Sequence, residues 1–221
     1  RREYDGTTTA VIQNLANIDN LKTGDVVAID TANAIGGFAD SHAGNGKLAT
    51  FTGVTLAGAD ANNYSFGGTL LAEGKVDTRT LTWNNIQVAN RTYDTTTNAT
   101  VTGVGGLGNI VGIDQVSIDP ASVAGAFASK NAGTNVTVNV WGNITGANSS
   151  DYQLPGGTAF ADITPMSLTV TGATSSSKAY DGTTTATVSG GNVSALSGDT
   201  INLSAANASF ADKNAVTAKV V

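Results

Sequence analysis

One decapeptide constrains this chain more than any other feature, because it returns at a fixed interval. Lys178-Ala179-Tyr180-Asp181-Gly182-Thr183-Thr184-Thr185-Ala186-Thr187 is echoed at Tyr4-Asp5-Gly6-Thr7-Thr8-Thr9-Ala10 and at Tyr93-Asp94-Thr95-Thr96-Thr97-Asn98-Ala99-Thr100. Tyr4 and Tyr93 lie 89 positions apart, Tyr93 and Tyr180 lie 87 apart. Two further landmarks keep the same order. Phe38-Ala39-Asp40 is matched by Phe127-Ala128-Ser129-Lys130-Asn131 and by Phe210-Ala211-Asp212-Lys213-Asn214. Gly58-Ala59-Asp60-Ala61-Asn62-Asn63-Tyr64 is matched by Gly146-Ala147-Asn148-Ser149-Ser150-Asp151-Tyr152. A chain with three ordered landmarks at one period is an array of modules, and its fold has to be read one module at a time.

The breaks fall at Lys75-Val76-Asp77-Thr78 and at Asp162-Ile163-Thr164-Pro165. They divide the chain into 1–76, a module without its first strand; 77–163, a complete module; and 164–221, a module without its last strands. Few Glu–Lys helical pairs occur. Thr and Val alternate between Gly and Asn-Asp punctuation, which favours strands and turns. Val136, Val138 and Val140 alternate cleanly, Leu168 and Val170 open a strand, Thr184, Ala186 and Val188 continue one, and Asp199 to Leu203 reads as another. The expected class is all-β, with tandem small Ig-like β-sandwich modules of about seven strands each. The alternative is a β-grasp-like module with a helix over Pro120 to Ala128. Pro165 fixes its own φ and restrains Thr164, so the linkers are short and stiff, and an extended rod is expected.

Composition excludes several functions. The net charge is −6 with no Lys/Arg cluster, so no electrostatic footprint for nucleic acid or for an anionic membrane surface is present. No cysteine occurs, which removes disulfides, thiolate metal sites and cysteine nucleophiles. No segment is apolar for long enough to span a bilayer as a helix, and no signal-peptide core follows Arg1-Arg2-Glu3-Tyr4.

Candidate chemistry is weighed against recurrence. His42 is the sole histidine and is replaced by Asn131 and Asn214, so it reads as a surface turn residue rather than a catalyst. Asp5, Asp60, Asn62 and Asn63 offer hard oxygens for calcium, but in no EF-hand spacing, and turn hydrogen bonding is the competing role. No lysine is common to all three copies: Lys178 aligns with Arg91 and Arg2, Lys213 with Lys130 and His42, and Lys47 with Lys219 alone. A shared Lys–Asn crosslink is therefore not expected. Trp83 and Trp141 suggest sugar stacking, with core or junction packing as the favoured reading. Asn143-Ile144-Thr145 and Asn63-Tyr64-Ser65 are glycosylation sequons that matter only in a competent host. No catalytic, metal or cofactor residue is assigned. The recurring Tyr is read as a packing anchor and the recurring Asp as a turn hydrogen-bonder.

The landmarks together resemble the YDG repeat, which occurs in tandem in large bacterial surface and secreted proteins, including filamentous-haemagglutinin-like adhesins. The residues that carry the resemblance are Tyr4, Asp5, Gly6, Tyr93, Asp94, Tyr180, Asp181 and Gly182, with Phe38, Phe127, Phe210, Tyr64 and Tyr152. The middle copy departs at Thr95, where the others have glycine. The resemblance implies an extracellular repeat with no enzymatic activity. The recurrence, the tight Pro165 linker and the lack of chemistry shared by the copies lead to the expectation of a structural segment, a stalk, spacer or filament section. Its partners would be neighbouring repeats of the same or another chain, joined by tight linkers or by strand complementation. A glycan- or mucin-binding repeat is the alternative.

Overall fold

The computed structural model describes residues 1–15, 17–204, 207–218 and 220. The chain is all-β, with 42% of residues in strands against 4% in short 3₁₀ turns, which settles the class. It divides into two compact units: residues 1–88, 100–125 and 139–159, and residues 89–99, 126–138 and 160–221. Both therefore draw on the middle repeat.

The first unit is built on a five-stranded sheet in the order Arg2–Glu3, Thr69–Asp77, Gly44–Thr52, Ile35–Phe38, Thr9–Ala10. Arg2–Glu3 runs parallel to the end of Thr69–Asp77, pairing Arg2 with Val76 and Glu3 with Asp77. The other pairings are antiparallel. Short ladders complete the unit: Ala28–Asp30 with Thr55–Ala57, Thr82–Trp83 with Leu107–Gly108, and Arg79–Thr80 parallel to Tyr152–Gln153. The core comprises Tyr4, Ala10, Phe38, Ala49, Phe51, Val54, Val76, Leu81 and Tyr152. Gly36 is required there, because a Cβ would lie 2.2 Å from the Phe51 ring.

The middle repeat carries the same sheet order: Arg91–Thr92, Gly157–Thr164, Gly133–Trp141, Ala124–Phe127, Asn98–Ala99. Within the second unit Arg91 again pairs in parallel, here with Ile163. Phe127, Val138, Ala161 and Ile163 are buried, the inward positions of a period-two pattern. Val170–Ser175 pairs with Val188–Val193, and Thr185–Ala186 with Ala208–Ser209.

Two sequence expectations are corrected. Pro120 to Ala128 is no helix: a 3₁₀ turn at Pro120–Ser122, capped by Asp119, leads into the strand Ala124–Phe127. Asp199 to Leu203 contains no strand, because Gly198 takes φ +92° and Asp199 closes a turn onto Leu196.

Candidate functional site

Each copy of the decapeptide builds the same turn. The Asp5, Asp94 and Asp181 carboxylates accept the backbone N–H two residues on, at 2.9, 2.8 and 2.9 Å, together with the same threonine's hydroxyl. This Asx-type turn is local, so it forms wherever Asp-x-Thr occurs with a permissive middle residue. Gly6 and Gly182 take φ +79° and +76°; Thr95 is held at +70° with a β-branched side chain. A basic residue three positions earlier (Arg2, Arg91 or Lys178) also binds the carboxylate. The same cations stand 5.8, 5.1 and 5.8 Å from the ring centres of Phe38, Phe127 and Phe210. Recurring Lys/Arg, Asp and Phe are thus one cluster, with cation–π attraction tying the turn to the following strand. The Thr96 N–H and hydroxyl, with Arg91, hold the Asp94 carboxyl down at about 2. Lys178 first, then Thr183, does the same for Asp181.

The tyrosine points away from that turn toward the next repeat. Its backbone N–H is fixed by the sheet, Tyr4 to the Asp77 carbonyl at 2.8 Å and Tyr93 to the Thr164 carbonyl at 2.9 Å. The Tyr4 hydroxyl donates to Asp114 Oδ2 at 2.8 Å, although the two residues are 110 positions apart. Tyr152 donates to the same oxygen at 2.6 Å and accepts the Val111 N–H at 2.9 Å. The two rings meet edge to face, 5.4 Å between centres. Burial, then the bond to Asp114, pushes Tyr152 up to about 12; the same causes, in the same order, raise Tyr4. In the second unit Tyr93 donates to Asp199 Oδ1 at 2.8 Å, and this bond raises the Tyr93 hydroxyl too. Within the first repeat Tyr64 donates to Asp25 at 2.6 Å and accepts the Lys22 N–H at 3.0 Å.

Three equivalent acceptors therefore exist: Asp25, Asp114 and Asp199. Each ends a four-residue turn in which its N–H bonds the carbonyl of Lys22, Val111 or Leu196. Sequence reasoning assigned none of them this role. A signal was present in Gly24-Asp25 and Gly198-Asp199, but the middle copy has Gly112-Ile113-Asp114, with its glycine one position earlier. Their positive φ values of +100°, +92° and +52° show why each turn needs a glycine, and why the glycine moves when the turn changes type.

The third landmark supplies a clamp. Asp60 and Asn148 accept the Val26 and Gln115 N–H groups at 2.8 and 3.0 Å and return their own N–H to the same two residues' carbonyls. Asp60 is thus committed to a turn. Among the described residues no group of three His, Asp or Glu side chains gathers into a metal-sized cluster. Tyr152 follows a 3₁₀ turn, Ser149–Asp151, whose last residue is only 1% exposed. The buried Asp151 carboxylate accepts the Ala43 N–H at 2.8 Å and lies 2.8 Å from His42 Nδ1, which is thereby raised above its ordinary value. His42 is exposed, as a turn residue is, yet it also joins the first repeat to the middle one.

Tyr180 is 64% exposed, unlike Tyr4 and Tyr93. Trp83 is half-buried and donates its indole N–H to the Pro155 carbonyl at 2.7 Å. Trp141 is 49% exposed rather than packed: Val138 and Val140 point inward, so its odd position faces out. Lys219 lies outside the described residues.

Residues 1–70, 77–159 and 164–221 each match the model of the YDG domain. The chain belongs to the YDG family. No curated protein and no solved structure matches it. In this YDG chain the family's Asp and Gly serve the turn, while Tyr4 and Tyr93 are free to reach the aspartate turn of the following repeat.

Proposed function

We propose that this YDG chain is a structural segment, a stalk or spacer made of small tandem sandwich modules, in a large bacterial extracellular adhesin or matrix protein. The observation that carries this reading is the repeated joint, Tyr4 on Asp114 and Tyr93 on Asp199. A solvated flexible linker would need no such bond; a module that must hold its angle to the next one does. Thr164 and Pro165 leave little slack between repeats, and Asp151 adds a second contact to Ala43 and His42. The recurring polar groups are consumed by turns and joints, so the reading gives the chain no catalytic role. Small-angle scattering of the whole chain is expected to give a rod-like profile. A compact globular profile overturns the proposal.

Trp141 favours one second reading, glycan binding, because its ring is half exposed on an otherwise inward-alternating strand. Glycan-array binding lost on Trp141→Ala, with an unchanged melting temperature, would favour it over a passive stalk.

A further inference from the structure

The strands by which a repeat is entered and left pair in parallel, although the hairpins between them are antiparallel. In the first repeat Arg2–Glu3 lies parallel to the end of Thr69–Asp77. In the middle repeat Arg91–Thr92 lies parallel to Ile163–Thr164, and Arg79–Thr80, ahead of it in the chain, lies parallel to Tyr152–Gln153. A backbone bond one residue on closes each pair. The Tyr4, Tyr93 and Leu81 N–H groups donate to the Asp77, Thr164 and Gln153 carbonyls at 2.8, 2.9 and 2.9 Å. Side chains reinforce the ends: Arg1 binds the Asp77 carboxylate, and the Thr164 hydroxyl donates to the Arg91 carbonyl at 3.3 Å. The exit strand of the first repeat is also an inner strand, since Gly44–Thr52 pairs with its other side.

Direction decides what a pull does to such a pair. Tension along the chain draws an entry strand towards its N-terminus and an exit strand towards its C-terminus. In a parallel pair these motions are opposed along the strand axis, so the cross-strand bonds are loaded together, in shear. In an antiparallel pair pulled at its open end, the strands separate one rung at a time. We propose that these pairs are load-bearing clamps: parallel entry and exit strands hold tension in shear, so that a repeat transmits a pulling force without lengthening. The inference rests on the stalk reading above and adds a duty to it, because a spacer needs only length whereas a tether must not extend. The recurring motif backs each clamp on the side away from the pull. Slippage of Arg2–Glu3 would drag the Tyr4 ring, 2% exposed, from the core and break its hydroxyl from Asp114. Slippage of Arg91–Thr92 would break Tyr93 from Asp199 and carry Arg91 off the Phe127 ring.

Forced unfolding reads the rate of leaving the native state, so it reports the clamp directly. The chain has no cysteine, so introduced cysteines fix the points of pull. In optical tweezers the whole chain is held by its N-terminal residue and by Thr78→Cys, which loads Arg2–Glu3 against Val76–Asp77 in shear. The second geometry keeps Thr78→Cys and moves the other handle to Asn45→Cys. Gly44–Thr52 is then peeled from Thr69–Asp77, beginning where Lys47 pairs with Gly74. Urea unfolding establishes that both variants are equally stable. The shear geometry is expected to resist a severalfold higher force at the same loading rate, then to lengthen by about 250 Å as residues 3–77 are released. Equal forces, or a higher force in peeling, overturn the proposal. The second clamp is read independently with Ala89→Cys and Pro165→Cys: it should hold as strongly as the first, and yielding at the peeling force overturns the proposal as surely. Low forces beside a rod-like scattering profile remove the clamp and leave the stalk reading intact; a globular profile removes the stalk itself.

Discussion

The joint at Tyr4 and the joint at Tyr93 use the same turn, the same tyrosine and the same acceptor, yet they are stabilised differently. Both acceptor turns are formed, with bonds of 3.0 Å at Asp114 and 3.1 Å at Asp199. Both tyrosine bonds are 2.8 Å. The turn and the bond are local and geometric, so they do not depend on what surrounds them. Burial does depend on it. Leu81 is covered by the Tyr152 strand, and Leu168 has no such cover. The hydrogen bond specifies where two repeats meet, and burial of Leu81 beneath the second tyrosine is expected to contribute more stability than the bond itself.

The largest test of that division is a matched pair of leucine truncations. Leu81→Ala empties a fully enclosed site and is expected to destabilise by about 2–5 kcal/mol. Leu168→Ala removes a side chain already 40% in water and is expected to cost less than about 1 kcal/mol. Urea unfolding of both variants measures the difference. Equal losses would mean that Leu168 is buried in solution, and the contrast between joints would collapse.

Alkaline titration sharpens the contrast from the polar side. A tyrosine that donates to a carboxylate must stay protonated, so its folded pKa lies above the unfolded value of about 10. The stabilisation is complete below that value and is lost as pH rises through the folded pKa. For Tyr152 the window runs from about 10 to about 12, with burial the first cause and Asp114 the second. For Tyr93 the bond to Asp199 is the first cause, burial the second. Ultraviolet titration of tyrosinate should show Asp114→Asn advancing the ionisation of Tyr4 and Tyr152 while leaving Tyr93 in place. Asp199→Asn should advance Tyr93 alone. A shift of all three in either variant would refute independent joints.

The sequence made the joint only half legible. The all-β class could be read, since Val138 and Val140 alternate on one strand and the alternation is a local property. The Asp5, Asp94 and Asp181 turns could be read for the same reason: donor and acceptor are two residues apart. The partner of each tyrosine could not, because Tyr4 and Asp114 are 110 positions apart and nothing in either segment names the other. The acceptors were further hidden by the glycine that moves from 24 and 198 to 112, so a fixed-spacing search loses the middle copy. The placement of Trp141 was legible and was misjudged. Continuing the parity of Val138 and Val140 by one residue puts its ring on the outer face, where it is found. Asp199 to Leu203 shows the opposite limit: Thr200, Ile201 and Leu203 have strand propensity, but the positive φ at Gly198 and the turn it opens override it.

The smallest expected effect concerns the one turn that lacks its glycine. Thr95 occupies a left-handed conformation that Gly6 and Gly182 adopt freely. For a β-branched residue that conformation costs about 1–2 kcal/mol, and the Asp94 network holds it in place. Thr95→Gly removes the strain but adds backbone freedom to the unfolded chain, worth about 0.5–1 kcal/mol in the other direction. The net expectation is a gain of about 0.5–1 kcal/mol in urea unfolding. The mirror substitution, Gly182→Thr, transplants the strain to the third repeat, where a Cβ at this position meets nothing within 4 Å. Its cost therefore reports strain less unfolded-chain freedom, without side-chain packing. If Thr95→Gly destabilises while Gly182→Thr costs the same net amount of about 0.5–1 kcal/mol, the half-buried Thr95 side chain contributes packing that outweighs its strained backbone.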